Sequence, residues 1–335
     1  MKATLRPKDL CESCVNASDS SDGRGRFCCK TDDREALYAP SHCVYYDGPA
    51  LPIDIVIITA VLVEFEAVRA HLHPDGKDAW DVTRTTSDGP WYVCDYKSSS
   101  SKDMRVRIAL VQSRGTGLSY AACLATLGIQ LFRPTYVVML GVTAGSANTT
   151  IGDVIVPSEL WDYGAGKWED IGGKLVFTSR IEQVPIQEHV RQWSEVLAKR
   201  PGLWKSVMEE WFLTRVDEAR PSVPKVLIGK MVSGAAVVDA KAIWDQVFSQ
   251  DKKVIALDME AYAVARAVHL ATNPKYSPYC LIAKAVCDYG FDKRKDAQTY
   301  AAFLSVKFFK AYLDEVIFGI DSEQAPMHRH IPVSE

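Results

Sequence analysis

The chain is short of two things: long apolar runs and blocks of like charge. No stretch approaches the ~20 consecutive apolar residues of a membrane-spanning helix, which sets aside a membrane protein. The 39 Lys and Arg against 42 Asp and Glu leave a formal net charge of −3, spread without runs. That balance lacks the basic footprint of a nucleic-acid binder. The segment Met1–Pro7 lacks the apolar core of a signal peptide, so a cytoplasmic location is expected. No internal repeat is found.

What is present is a large core. Hydrophobic residues make up 47% of 335, enough for one large α/β domain with a small appendage. Residues 1–50 are polar, rich in Cys and without helical or strand period. After Pro49 and Pro52 the character changes. Ile53–Ala60 reads as a buried strand and Val63–Leu72 as a helix. Further strands fall at Trp91–Lys97, Met104–Val111, Tyr136–Leu140, Gly152–Pro157, Val226–Val232, Val254–Leu257 and Cys280–Val286. Helical patterns cover Gly117–Leu131, about 186–216, Ala261–Leu270 and a stretch through Ala301, Leu304, Phe308 and Tyr312. The expected fold class is α/β: a central mixed, mostly parallel twisted sheet flanked by helices. The expected division is a Cys-rich segment (1–50), a catalytic domain (51–320) and a flexible tail (321–335).

The chemistry-bearing residues sit where apolar strands end. Leu257-Asp258-Met259-Glu260-Ala261 joins a strand to a helix, and Val286-Cys287-Asp288-Tyr289 closes another strand. An α/β sheet places its ligand sites at such carboxyl ends, and two carboxylates in one cleft can divide acid and ligand-holding roles. Leu140-Gly141-Val142-Thr143-Ala144-Gly145 is a small-residue turn that lets a ligand approach backbone N–H groups. It matches neither a Walker A loop nor a GxGxxG fingerprint. Thr59-Ala60 leads into a helix start bearing Glu64 and Glu66, where a carboxylate also complements the helix dipole. Val232-Ser233-Gly234-Ala235-Ala236-Val237-Val238 ends a further strand in small residues.

Taken in order, these segments, together with Gly152–Val156, Trp161-Asp162-Tyr163 and Lys293, resemble the nucleoside phosphorylase/nucleosidase superfamily. The resemblance is nearest to the methylthioadenosine/S-adenosylhomocysteine nucleosidases and runs from about Ile53 to Leu313. It implies cleavage of the N-glycosidic bond of a purine nucleoside or nucleotide, adenine favoured. It also implies a homodimer or higher homo-oligomer and no cofactor for catalysis. Asp288 matches the acid that protonates the purine. A free Asp titrates near 3.9, so carrying a proton at neutral pH requires a rise of ~3 units. Glu64 matches the residue that orients and deprotonates water, and Glu260 the one that grips the ribose hydroxyls. Met259 would pack against the sugar, with Asp258 beside it. Thr143, Ala144 and Gly145 form the turn beneath the ligand. Val237 and Val238 sit where the base is read, and Trp161 and Tyr163 suit the cleft wall and core packing equally.

The chain departs from the pattern in three places. Met139 stands where bacterial phosphorylases carry a phosphate-binding Arg, which favours water as nucleophile unless Arg114 supplies that cation. Val237 stands where a stacking aromatic is usual, and Asp258 replaces Glu. Lys167, Lys205, Arg215, Arg220 and Lys225 allow either a cationic lid for a 5′-phosphate or a solvated helix face. A phosphate-dependent phosphorylase and a non-cleaving nucleotide sensor are the rival readings.

Of nine Cys, five fall at Cys11, Cys14, Cys28, Cys29 and Cys43. Without secretory features such a cluster points to metal rather than disulfides. Structural zinc on Cys11, Cys14, Cys28 and Cys43 is expected, with Cys29 and His42 as substitutes; an iron–sulfur cluster and free or redox-active thiols are the other readings. The other four (Cys94, Cys123, Cys280, Cys287) read as small core residues.

Overall fold

The computed structural model of the protein describes residues 10–11, 14–19, 26–28, 53–86, 89–97, 105–200, 202–213, 222–291 and 295–319. Cys29, His42, Cys43, Arg215, Arg220, Lys293 and the tail from residue 321 lie outside them, as do the side chains of Cys11, Cys14 and Cys28. Strands β1 (Leu10–Cys11), β2 (Cys14–Asp19) and β3 (Arg26–Cys28) form a small antiparallel sheet. Its register sets Cys11 opposite Cys14 and Cys28 opposite Ala17.

The large sheet begins with β4 (Ile55–Thr59), whose five residues are all buried. Runs of Ile and Val suit a strand covered on both faces. Burying each such side chain contributes roughly 1.5–3 kcal/mol. Helix α1 (Leu62–His71) follows directly. Then come β5 (Asp81–Thr86), β6 (Gly89–Lys97), β7 (Arg105–Gln112), α2 (Leu118–Phe132) and β8 (Tyr136–Gly145). β9 (Val154–Asp162) leads into an exposed hairpin of β10 (Gly166–Ile171) and β11 (Lys174–Ser179), then β12 (Val184–Pro185). The helical stretch read across 186–216 is two helices, α3 (Glu188–Ala198) and α4 (Leu203–Phe212). β13 (Val226–Ser233), α5 (Ala242–Gln250), β14 (Val254–Asp258), α6 (Ala261–Ala271), β15 (Tyr279–Asp288) and α7 (Lys295–Tyr312) complete the domain. α7 packs on β15, β8 and α1, and α2 packs on α6.

The sheet differs from the expected one in two respects. It closes on itself: β8, β15, β9, β13 and β14 pair in a ring, because β15 bonds both β8 and β9 while β14 bonds β8 and β13. It is also not mostly parallel. The pairs β4–β7, β4–β8, β8–β15, β9–β13 and β13–β14 are parallel, while β5–β6, β6–β7, β8–β14, β9–β12 and β9–β15 are antiparallel. Closure removes the edges of the central strands. It also gathers the carboxyl ends of β4, β8, β13, β14 and β15 at one end of the ring. Among the described residues no helix is long and apolar enough to cross a membrane.

Candidate active site

A cavity of about 230 Å³ opens at that end of the ring, and Glu64, Glu260 and Asp288 all line it. Each arrives from a different element. Glu64 is in the first turn of α1, where the chain leaves β4. Glu260 is the residue before α6, and Asp288 ends β15.

Glu64 is buried, and backbone donors hold it. Ala60 N and Val61 N donate to Oε2 at 2.7 and 3.1 Å, and Val142 N donates to Oε1 at 2.8 Å. The carboxylate thus ties the start of α1 to the glycine turn of β8. Gly141 makes this possible, since a Cβ there would lie 1.9 Å from Glu64 Oε1. A carboxylate has about four lone-pair directions. Three are filled by N–H groups, and the rest faces Lys284 and the cavity.

Lys284 was not singled out from the sequence. It lies in the middle of β15, 1% exposed, with Nζ 3.5 Å from Glu64 Oε1 and 3.6 Å from Asp258 Oδ2. Burial works against its charge. Glu64, Asp258 and Glu260 outweigh that and hold its pKa above the usual lysine range. The signal was present: one Lys inside an otherwise apolar run, four residues before Asp288.

Asp258 is buried at the end of β14. Its Oδ1 accepts from Ser233 Oγ at 2.6 Å, and its carboxylate accepts from the N–H of Ala261 at the start of α6. Burial pushes its pKa up, against the pull of Lys284 and these donors. Glu260 Oε1 accepts from Gly117 N at 2.8 Å. Burial first, then the neighbouring Asp258 and Glu64 charges, raise its pKa to about 7, while Lys284 and Gly117 oppose the rise. Asp288 Oδ1 accepts from Gly290 N at 2.7 Å, and the thiol of Cys287 lies 3.4 Å from Oδ2. Burial and the adjacent carboxylate keep that thiol protonated, so it donates.

Met259, Thr143, Ala144, Val237 and Val238 also line the cavity, as does Gln298 of α7. Gly145 does not; it borders a second cavity on the other side of β8. Trp161 and Tyr163 are not cleft walls either. Both are buried in an apolar cluster with Val232, Trp244 and Val247. Trp161 Nε1 donates to Gln250, and the Tyr163 ring fills the space a Cβ at Gly234 would need. Among the described residues no Lys or Arg lines the cavity, Lys167, Lys205 and Lys225 included.

Solved structures share this architecture. A putative 5′-methylthioadenosine/S-adenosylhomocysteine nucleosidase from Francisella philomiragia superposes with a TM-score of 0.56 at 16% identity, covering 78% of this chain and 99% of that one. The 5′-methylthioadenosine/S-adenosylhomocysteine nucleosidase of Neisseria meningitidis, in complex with methylthio-immucillin-A, gives 0.55 at 18% identity, with coverages of 78% and 99%. Futalosine hydrolase of Helicobacter pylori gives 0.54 at 18%, with coverages of 79% and 98%. The chain has the nucleoside phosphorylase/nucleosidase fold. No protein-family model matches it. An uncharacterized protein of Sinorhizobium fredii, y4jS, is 30% identical over 267 residues, 78% of this chain. The chain spans 62% of the length of that relative.

Proposed function

We propose that this chain hydrolyses the N-glycosidic bond of a purine nucleoside or nucleotide, adenine favoured, releasing free purine and ribose or ribose phosphate. The observation that supports this most is the meeting of Glu64, Glu260 and Asp288 in one cavity from three distant elements. In this reading Asp288 gives its proton to purine N7 as the C1′–N9 bond breaks and its electron pair moves onto the base. Positive charge grows on the sugar, and the surplus of carboxylates over Lys284, the cation buried among them, favours it. Glu260 accepts from the ribose hydroxyls. Water attacks C1′ and loses its proton to the Glu64 side, where Lys284 holds the carboxylate in place. The cavity wall carries no described cation to anchor phosphate, which supports water as the nucleophile.

The test is to incubate the protein with adenosine, methylthioadenosine, AMP and ATP, with and without phosphate, and to measure free purine. Release without phosphate is expected. Asp288→Asn is expected to cut kcat by 10²-fold or more while ligand affinity persists. Phosphate-dependent release, or equal losses of turnover and affinity, would reject the scheme. The Cys-rich segment is proposed to hold structural zinc, with Cys11, Cys14, Cys28 and Cys43 as ligands. Metal analysis of the full chain checks this, with about one zinc per chain expected, lost on Cys14→Ser.

A further inference from the structure

The cavity that gathers the three acids has walls of different character. Val238 lies against Gly290, where an added Cβ would meet it at 3.1 Å, and Gly290 N holds Asp288. With Asp288 as the N7 donor, that end takes the base. Glu260 takes the ribose hydroxyls. Thr116 stands beside it, because the N–H of the next residue, Gly117, donates to Glu260 Oε1 at 2.8 Å. The wall that remains is Ala60 and Val61, at the start of α1, together with Gln298 in the first turn of α7. These helices follow β4 and β15, which both run parallel to β8. They start at the same end of the ring and pack on each other, with the rings of His71 and Phe303 4.9 Å apart farther along. A ribose with its base at Asp288 and its hydroxyls on Glu260 leaves this wall for C5′.

The polar groups decide what that wall accepts. Four neutral side chains with a hydroxyl, thiol or amide line the cavity: Thr116, Thr143, Cys287 and Gln298. Thr143 donates to Leu257 O at 2.9 Å, and the Cys287 thiol donates to Asp288. Gln298 is half-buried and hydrogen-bonds no described residue. Its amide both donates and accepts, which matches a hydroxyl, whereas a thioether sulfur is only a weak acceptor. A phosphate fits the wall worse. It carries about −1.5 to −2 charge at pH 7. It would enter beside the carboxyl groups of Glu64, Asp258, Glu260 and Asp288, with no described Lys or Arg lining the cavity to receive it. Like charges brought together in this way disfavour binding.

We propose that Gln298 reads the 5′ position and selects a hydroxyl there. The preferred substrates are then purine nucleosides with a free 5′-OH, rather than 5′-thioethers or 5′-phosphates. A site that hydrogen-bonds a substrate hydroxyl rejects an analogue lacking it far more strongly than an apolar pocket rejects an added hydroxyl. Gln298 is a specificity residue and takes no proton in the reaction. The bond broken stays C1′–N9, with water as co-substrate. The inference rests on the reading of Asp288 as the N7 donor and of Glu260 as the ribose clamp.

Kinetics on the full chain compare adenosine, methylthioadenosine and AMP. At least tenfold higher kcat/KM for adenosine than for either of the others is expected. Gln298→Leu, similar in size and apolar, is expected to lower kcat/KM for adenosine at least tenfold and to bring methylthioadenosine at least level with it. The affinity for free adenine, measured by calorimetry, is expected to stay unchanged. That readout separates lost 5′ recognition from a disturbed fold, which would weaken adenine binding as well. Equal kcat/KM for adenosine and methylthioadenosine in the unaltered protein, a preference for AMP, or an unchanged ratio in Gln298→Leu would overturn the proposal. Calorimetry with the intact nucleosides covers the case in which none is cleaved. At least tenfold tighter binding of adenosine than of methylthioadenosine, lost in Gln298→Leu, would then uphold the 5′ assignment while the hydrolytic reading fell. Equal affinities would overturn both.

Discussion

At the scale of single residues, Glu260 is the group whose protonation decides most. Its pKa of about 7 lies above the ordinary 4.5, chiefly because it is buried. An acid whose pKa is raised by folding binds its proton more tightly in the native state. Its contribution is fully present below pH 4.5 and is lost as pH rises to about 7. The unliganded protein is therefore expected to lose thermal stability across that window. Glu260→Gln keeps an acceptor for Gly117 N–H and carries no charge, so its melting temperature should be flatter over the same pH range. Parallel melting curves for the two proteins would contradict the assignment. Glu64, Glu260 and Asp288 were legible as candidates because carboxylates stood where apolar strands end. Lys284 was missed because a strand pattern takes a single Lys as an edge or a snorkelling side chain. Only the three carboxylates around it explain a fully buried cation.

At the scale of elements, the glycine turn in β8 is as much a part of the site as the acids. The small residues there suggested an opening for a ligand. The structure shows Gly141 making room for Glu64, so its carboxylate can reach Val142 N while also holding Ala60 N and Val61 N. Gly141→Ala forces a Cβ into a carboxylate that three backbone donors hold in place. Charge-assisted hydrogen bonds of this kind contribute about 1.5–3 kcal/mol each. Losing one or two, with the strain of relieving the overlap, is expected to cost roughly 2–4 kcal/mol of stability and to remove activity. Denaturant unfolding beside a turnover assay checks it; an active, fully stable variant would mean the turn yields easily. The helices and strands were largely visible in the sequence, because buried β4, β8 and β15 are dense in Val, Ile and Leu. The hairpin β10–β11 was not, since its exposed apolar residues follow no buried face. Trp161 and Tyr163 could not be assigned to core or cleft from the sequence for a related reason. Whether a strand residue faces cavity or core depends on how the sheet curves, which local pattern does not encode.

At the scale of the whole molecule, ring closure sets the electrostatics. The pairings β14–β8 and β15–β9 join segments far apart in the chain, so no local signal announces them. They bring Glu64, Asp258 and Glu260 around one buried Lys. Removing one partner of a buried ion cluster typically costs 3–5 kcal/mol, because the remaining charges are left uncompensated. Lys284→Met, close in length and apolar, fills the space without the charge. At pH 7 and above it is expected to lower the melting temperature strongly. Without the cation Asp258 and Glu260 titrate at still higher pH in the folded state, because Lys284 no longer opposes the rise, and protonating them removes their mutual repulsion. The deficit should therefore shrink as pH falls toward 5, opposite to the usual acid destabilisation of proteins whose carboxylates are paired. Thermal melts of both proteins between pH 5 and 8 decide the matter. A deficit that stays constant across that range would mean Lys284 acts by its volume alone, and that the acids are not coupled through it.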